Sequence, residues 1–212
     1  FRNWFYSLLT MSTVLENREP FRSVFSYALM RDEKGQEMHK SKGNSIEFIE
    51  AANNMGVDAM RWVFARHNPA QNLSFGYTIV EEVRRHFLLT LWNIYSFFVT
   101  YATIDKFDPL KPEITKQDTD SDMDRWIISE LNSLTTNVTK SLDEYDSTTA
   151  TRNIEEFVEL LSNWYVRRNR RRFWKSENDK DKISAHNTLY TCLVVLSKLI
   201  APITPFVSEE IY

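Results

Sequence analysis

The stretch from Ser147 to Lys175 reads STTATRNIEEFVELLSNWYVRRNRRRFWK, and its apolar spacing predicts one long helix. The apolar side chains recur every three or four residues, and so lie on one stripe: Ile154, Phe157, Val158, Leu161 and Tyr165. Five arginines within six residues follow this stripe. At about 100° per residue, Arg168 and Arg172 continue it, whereas Arg167 and Arg170 point away. Either the helix leaves the core there, or Arg168 and Arg172 pair with carboxylates inside.

Similar stripes on both sides predict an antiparallel helical bundle. Helical patterns run from Gly76 to Ile104, from Asp122 to Tyr145 and from Ile183 to Ile200, and Thr204-Pro205 is typical of a further helix start. Long amphipathic helices with short connections pack naturally in this way. Only 4 glycines and 6 prolines in 212 residues also favour a mainly α fold.

The N-terminal part has a different character. We predict a helix from Trp4 to Leu15, a strand from Ser23 to Met30 and a polar loop from Gln36 to Ser45. A helix from Ile46 to Met55 follows and stops at Gly56. Asp58 is the predicted N-cap of the next helix. These residues indicate the tail of an α/β unit. The charged, proline-containing segment from Lys106 to Asp120 is predicted to be a linker.

Composition narrows the classes of function. The formal net charge is −3, so any nucleic-acid surface must come from local clustering of cations. The single cysteine, Cys192, excludes an internal disulfide and a cysteine zinc site, and its apolar neighbours predict a buried thiol. The segment from His86 to Ile104 is interrupted by polar residues, so we predict a deeply buried core helix rather than a membrane span. The N-terminus lacks a signal peptide and is interpreted as a cut inside a longer protein.

The loop from Asp32 to Asn44 has the chemistry to wrap a phosphate. Lys40 supplies a mobile ammonium, Ser41 a hydroxyl donor and Gly43 a close approach of the backbone. The helix that follows points its positive end toward the same region. Taken alone, a lysine-bearing surface loop is more often simply solvated.

The arginine run also has two readings. One is intramolecular salt bridges at a helix C-terminus. The other is phosphate contact on RNA, because the guanidinium fork suits phosphate oxygens. The candidate RNA-binding residues are Arg167, Arg168, Arg170, Arg171, Arg172, Lys175 and Trp174. Trp164 is expected to lie in the core.

Three segments in the right order resemble class I aminoacyl-tRNA synthetases. Met38, Lys40, Ser41, Gly43 and Asn44 match the Lys-Met-Ser-Lys-Ser signature and its continuation. The segment RNWFY at residues 2–6 is similar to one that precedes the signature, and GVDAMR at 56–61 to one that follows it. Two positions depart from the family, since Glu37 and His39 replace the first lysine and serine. Glu37 puts any ATP-binding role of that position in doubt.

The resemblance implies an enzyme that joins an amino acid to ATP and then transfers it to tRNA. It implies a catalytic role for Lys40, and ATP binding by Met38, His39, Lys40, Ser41 and Gly43. It divides the chain into the end of a Rossmann-like catalytic domain (1–45), a helical connector on the acceptor-stem side (46–76) and an anticodon-binding bundle (77–212). It implies ATP with Mg²⁺, a cytoplasmic and monomeric enzyme, no membrane and no metal site in these residues.

The arginine run, together with Asn93-Ile94-Tyr95, most resembles the isoleucine-specific branch, with L-isoleucine and its tRNA as substrates. The landmarks Asp124-Arg125-Trp126 and the segment 201–206 fit the bundle of the same group. The alternatives are the valine-specific branch and a stand-alone helical RNA-binding or scaffold protein. Because the family's His-Ile-Gly-His signature is absent, we expect these 212 residues alone to be inactive.

Overall fold

The computed structural model describes residues 3–109, 121–175 and 180–212. Arg2 and residues 110–120 of the predicted linker lie outside the described residues. The described chain is mainly helical, which confirms the predicted fold class. The helices and strands are α1 (Trp4–Glu16), β1 (Met30–Arg31), α2 (Phe48–Met55), α3 (Val57–Arg66), β2 (Leu73–Ser74), α4 (Tyr77–Val83), α5 (Leu89–Ile104), α6 (Asp122–Asp143), α7 (Ser147–Leu160), α8 (Arg167–Trp174), α9 (Lys180–Ile200) and α10 (Pro205–Ile211).

Two of the long helices contain a π-helical turn. The first, Arg84–Leu88, joins α4 to α5, and the second, Leu161–Val166, joins α7 to α8. The two predicted helical patterns that contain these turns therefore each form one continuous helix. The extra residue of each π-turn was not apparent from the apolar periodicity. A π-turn adds about one residue to a turn of helix and so rotates every later side chain.

The core of the bundle lies between α6, α7 and α9. The predicted stripe of α7 is buried along its whole length, and so are Ile127, Leu131, Leu134 and Val138 of α6. Leu189, Leu193 and Leu196 of α9 fill the space between them. Cys192 is also fully buried as predicted, and burial raises the pKa of its thiol to about 12. It is therefore a structural thiol.

Helix α3 is attached to this bundle by packing and by hydrogen bonds. The Trp62 ring is fully buried and stacks on Phe87, with 3.8 Å between the ring centroids. The indole N–H of Trp62 donates to Glu155 of α7 at 2.8 Å. Arg61 donates to the carbonyl oxygens of Pro202 and Ile203 at 2.9 and 2.6 Å. Residues 46–76 therefore contact the bundle near its first residues, at Phe87, and near its last residues, at Pro202 and Ile203.

Three structural expectations are corrected. The strand predicted from Ser23 to Met30 is only Met30–Arg31, which pairs in parallel with Leu73–Ser74. The exposed apolar residues before it have no neighbouring strand among the described residues. Asp58 does not cap its own helix, since Gly56 holds the N-cap position. Its carboxylate instead accepts the N–H of Val207 in α10 at 2.7 Å, a tertiary contact that no local pattern shows.

The segment from His86 to Ile104 is less buried than predicted. Phe87, Leu91 and Ile94 are buried, whereas Trp92 and Ile104 are 39% and 67% exposed. By length and composition alone, Tyr77–Ile104 and Lys180–Ile200 could each cross a membrane, and the second is mostly buried inside the protein. The helix α5 lies at the edge of the bundle, which explains its exposed side.

Candidate functional site

The base of the lysine loop is closed by Asp32 and Asn44. The Asp32 carboxylate accepts the N–H groups of Lys34 and Gln36 at 3.0 and 2.8 Å. The Asn44 amide donates to the other carboxylate oxygen of Asp32 at 2.9 Å, and its carbonyl accepts the N–H of His39 at 2.9 Å. The hydrogen bond from Asn44 is the main cause that lowers the pKa of Asp32. The loop therefore has a fixed neck made of side-chain bonds.

The tip of the loop presents its polar groups to water. Lys40 and Ser41 lie in a 3₁₀ turn, Lys40–Lys42, that ends at Gly43 in the left-handed conformation with φ of 69°. Both side chains are exposed, and the Lys40 ammonium has no hydrogen-bond or ion-pair partner within residues 3–109, 121–175 and 180–212. Met38 is half-buried and packs against the core, so it anchors the tip.

The two positions that depart from the family signature lie together. The His39 ring nitrogen is 3.4 Å from the Glu37 carboxylate, and both side chains are about half exposed. Glu37 therefore directs its charge toward His39, within the loop. This leaves Lys40 and Lys42 as the exposed cations of the tip.

A second contact ties the loop to the long helix that begins at Tyr77. The Glu33 carboxylate accepts the N–H of Thr78 at 2.6 Å, at the first turn of α4. The chain passes so close here that a Cβ added at Gly76 would lie 2.2 Å from the Glu33 side chain. Tyr77 adds a hydrogen bond to Glu50 of α2 at 2.9 Å. The two adjacent carboxylates therefore have different structural roles. Asp32 closes the base of the loop, and Glu33 caps the first turn of α4.

The π-turn Leu161–Val166 decides which arginines face water. Its insertion moves the buried stripe from Tyr165 onto Asn169, Arg172 and Phe173, rather than onto Arg168. Arg168 is consequently exposed. Trp164 is 50% exposed, so the expectation that it lies in the core is wrong for the same reason.

Arg172 is held inside the bundle by a carboxylate. Its two terminal nitrogens each lie 2.7 Å from one oxygen of Asp124, which is 1% exposed. Tyr165 and Ser184 donate to the same carboxylate at 2.6 and 3.0 Å. Burial alone raises the pKa of Asp124, but these bonds outweigh it and the pKa lies below its ordinary value. Of the two alternatives left open for Arg168 and Arg172, each holds for one residue: Arg172 pairs with a carboxylate inside, and Arg168 is exposed to water.

The remaining arginines form an exposed surface, which we call the arginine face: Arg167, Arg168, Arg170 and Arg171. None of the four has a carboxylate partner in the described part of the chain. Arg168 and Arg170 instead lie over the rings of Trp164 and Phe97, at 4.8 and 5.9 Å from the centroids. Trp174 is 56% exposed beside them, and Lys175 is exposed but 3.9 Å from Asp181.

Other concave surfaces fit anions less well. The groove between α4, α5 and α7 has a volume of about 610 Å³, and four glutamates line it: Glu82, Glu155, Glu156 and Glu159. Within the described residues, no cluster of three or more His, Cys, Asp or Glu side chains could hold a metal ion. The loop tip and the arginine face therefore remain the two candidate sites for phosphate.

Two family profiles match the chain. Residues 1–76 match the class I tRNA synthetases for I, L, M and V, and residues 124–212 match the anticodon-binding domain of tRNA ligases. The chain belongs to the class I tRNA synthetases.

Within that class, the similarity to the isoleucine-specific branch is confirmed over all 212 residues. The chain is 54% identical to an isoleucine–tRNA ligase of Dehalococcoides mccartyi, covering 100% of this chain and 21% of the relative. It is 43% identical to an isoleucine–tRNA ligase of Thermus thermophilus, covering 100% and 20%. The chain thus spans about a fifth of the length of these relatives.

Solved structures share the fold. A ternary LeuRS–tRNA–LeuAMS complex from Agrobacterium radiobacter matches with a TM-score of 0.70 at 18% identity, over 98% of this chain and 24% of that one. Methionyl-tRNA synthetase of Mycobacterium tuberculosis with methionyl-adenylate matches with a TM-score of 0.69 at 22% identity, over 86% and 36%.

Proposed function

We propose that this chain supplies the ATP-phosphate loop and the anticodon-side tRNA surface of an isoleucine–tRNA ligase. That enzyme would activate L-isoleucine with ATP, release pyrophosphate and transfer the isoleucyl group to its tRNA, in the cytoplasm. The proposal rests on two observations together: the similarity to such ligases over all 212 residues of this chain, and an exposed, unpaired cation at each place where phosphate is expected. The division at residues 45 and 76 belongs to the same proposal.

Lys40 is proposed to act on the phosphates of ATP. Negative charge grows on the phosphate oxygens as the α-phosphorus is attacked, and a positioned ammonium stabilises this state more than the ground state. The Asp32–Asn44 neck and the Met38 anchor hold the tip while leaving Lys40 unpaired. His39, Ser41 and Gly43 would line the phosphates. Mg²⁺ would be carried by the phosphates themselves, as is usual for this hard cation.

The RNA surface is proposed to be the arginine face together with Lys175 and Trp174. Unpaired guanidinium groups gain most from phosphate, because no intramolecular ion pair has to be broken first. Arg172 is left out of this surface, since Asp124 already accepts both of its terminal nitrogens. Its role is to fix the helix that carries the others.

The loop is tested by replacing Lys40 with alanine in the full-length enzyme. We expect isoleucine-dependent ATP–pyrophosphate exchange to fall about 100- to 1,000-fold, the usual effect of removing one transition-state donor. Lys34→Ala is the matched control, because that lysine lies in the neck beside Asp32 rather than at the tip. Normal exchange by Lys40→Ala would overturn the catalytic role. Faster exchange with valine than with isoleucine would instead favour the valine-specific alternative.

The arginine face is tested by tRNA binding in rising salt. We expect the triple variant Arg167→Gln, Arg170→Gln and Arg171→Gln to bind more weakly and to lower the slope of log K against log salt by about 2 to 3. The matched control is Arg125→Gln, an exposed arginine of α6 that pairs with Asp122. An unchanged slope in the triple variant would contradict phosphate contact.

A further inference from the structure

The π-turn places a tryptophan and an arginine together on the outside of the bundle. Trp164 has half of its surface in water, although its neighbours Tyr165 and Val166 are buried. The Arg168 guanidinium lies over its ring, 4.8 Å from the centroid. The indole of Trp164 thus stays in contact with water although it directly precedes the buried core of the bundle, and π-turns are frequent at functional sites.

We propose that Trp164 and Arg168 form a stacking subsite for one unpaired nucleobase of RNA, an inference that rests on the proposed tRNA-binding function. An indole ring and a guanidinium plane are both surfaces on which bases stack. The two are already in contact, so a base would meet a preformed layer rather than two independent side chains. The ordering of Arg168 on the ring also reduces the entropy lost on binding.

The surroundings favour RNA over another ligand class. Arg167 and Arg171 lie on the same exposed side and would hold the phosphates that flank the stacked base. A base inside a duplex has both faces covered by its neighbours, so only a single-stranded loop or end can offer a free face. The subsite therefore selects looped over duplex RNA, whereas the arginines alone would bind both.

The experiment compares two fluorescent RNAs of equal phosphate number, a hairpin with an unpaired loop and a blunt duplex. Binding to the 212-residue chain is followed by anisotropy. Trp164→Ala should weaken hairpin binding about 5- to 100-fold and leave duplex binding unchanged. The salt slope for the hairpin should stay the same, because no phosphate contact is removed.

Conservative variants separate stacking from charge and from folding. Trp164→Phe should keep most of the hairpin affinity. Arg168→Lys keeps the positive charge but removes the planar guanidinium group. It should therefore weaken binding to the hairpin and leave binding to the duplex unchanged. Trp4→Ala is the matched control, because Trp4 is 56% exposed on α1, away from the arginine face.

The inference is overturned if Trp164→Ala and Arg168→Lys bind hairpin as wild type does, or if they weaken hairpin and duplex equally. If the wild-type chain binds neither RNA, or if the triple arginine variant binds both normally, the proposed function itself fails. The stacking subsite, which depends on that function, would then be ruled out as well.

Discussion

Residues 3–50 and residues 51–212 of the same chain differ sharply in packing. None of the residues from 3 to 50 is buried, including the whole of α1. From Ala51 onward, the described residues form a continuous buried cluster that runs through α3 and into the bundle. The N-terminal part is instead held by turns, by the short β1–β2 pairing and by the Asp32 and Glu33 contacts.

This difference shows that packing does not follow the proposed division at residue 76. Helix α3 shares its core with α7 and α10, while the lysine loop only touches that core through Met38. A cationic helix anchored in the core and a lysine loop held mainly by polar contacts thus occupy the same chain. RNA binding should tolerate changes in the first 50 residues, and the stability of the bundle should be insensitive to them except at Glu33, which caps α4.

The largest expected effect comes from the buried anchor of α3. Trp62→Ala should lower the free energy of unfolding by about 3–5 kcal/mol, because it opens a cavity beside Phe87 and leaves Glu155 without its indole donor. Trp4→Ala should change it by less than about 0.5 kcal/mol, since α1 buries nothing. Chemical denaturation of both variants measures the contrast. Similar losses of stability in the two variants would contradict the difference in packing between residues 3–50 and 51–212.

The next largest loss of stability is expected at Asp124, the buried carboxylate that pairs with Arg172. Asp124→Asn should lower the free energy of unfolding by about 3 kcal/mol, because Arg172 then loses its buried counter-charge and keeps the more exposed Asp181 as its carboxylate partner. Asp122→Asn is the control two residues away, where the carboxylate is exposed and pairs with Arg125. Urea unfolding followed by circular dichroism separates the two. If Asp124→Asn were as stable as wild type, the ion pair between Asp124 and Arg172 would not stabilise the fold.

The same carboxylate predicts a dependence on pH. Since the pKa of Asp124 is lower in the folded protein than its ordinary value of 3.8, the unfolded chain binds its proton first. The stabilisation is thus complete above about pH 4 and is lost as pH falls through the folded pKa. The gap in melting temperature between wild type and Asp124→Asn should narrow between pH 5 and pH 2. A gap that stays constant over this range contradicts the ion pair.

A smaller effect is expected where the loop meets the long helix. Gly76→Ala should destabilise the chain by about 1 kcal/mol, because the added methyl displaces Glu33 from the N–H of Thr78. Glu33→Ala should cost about the same, and the double variant no more than either alone. Thermal melts of the three variants give the coupling directly. Additive losses would show that the two positions act independently.

The sequence predicts the helices well because each carries a long apolar stripe, and it predicts the exposed lysine loop from its polar residues and Gly43. The predicted faces of Trp164, in the π-turn, and of Arg168, in α8, are wrong because a π-turn cannot be seen in a 100° periodicity. The partners of Asp58, Asp124 and Glu33 are missed for another reason. Each lies more than 40 residues away along the chain, so no local pattern points to it.

Amide hydrogen exchange of the 212-residue chain tests the central comparison most directly. We expect the amides of α3, α6, α7 and α9 to be protected to the level of global unfolding, and those of α1 to exchange through local opening at far lower free energy. Protection of α1 equal to that of α3 would contradict this expectation. The chain would then be one uniformly stable unit.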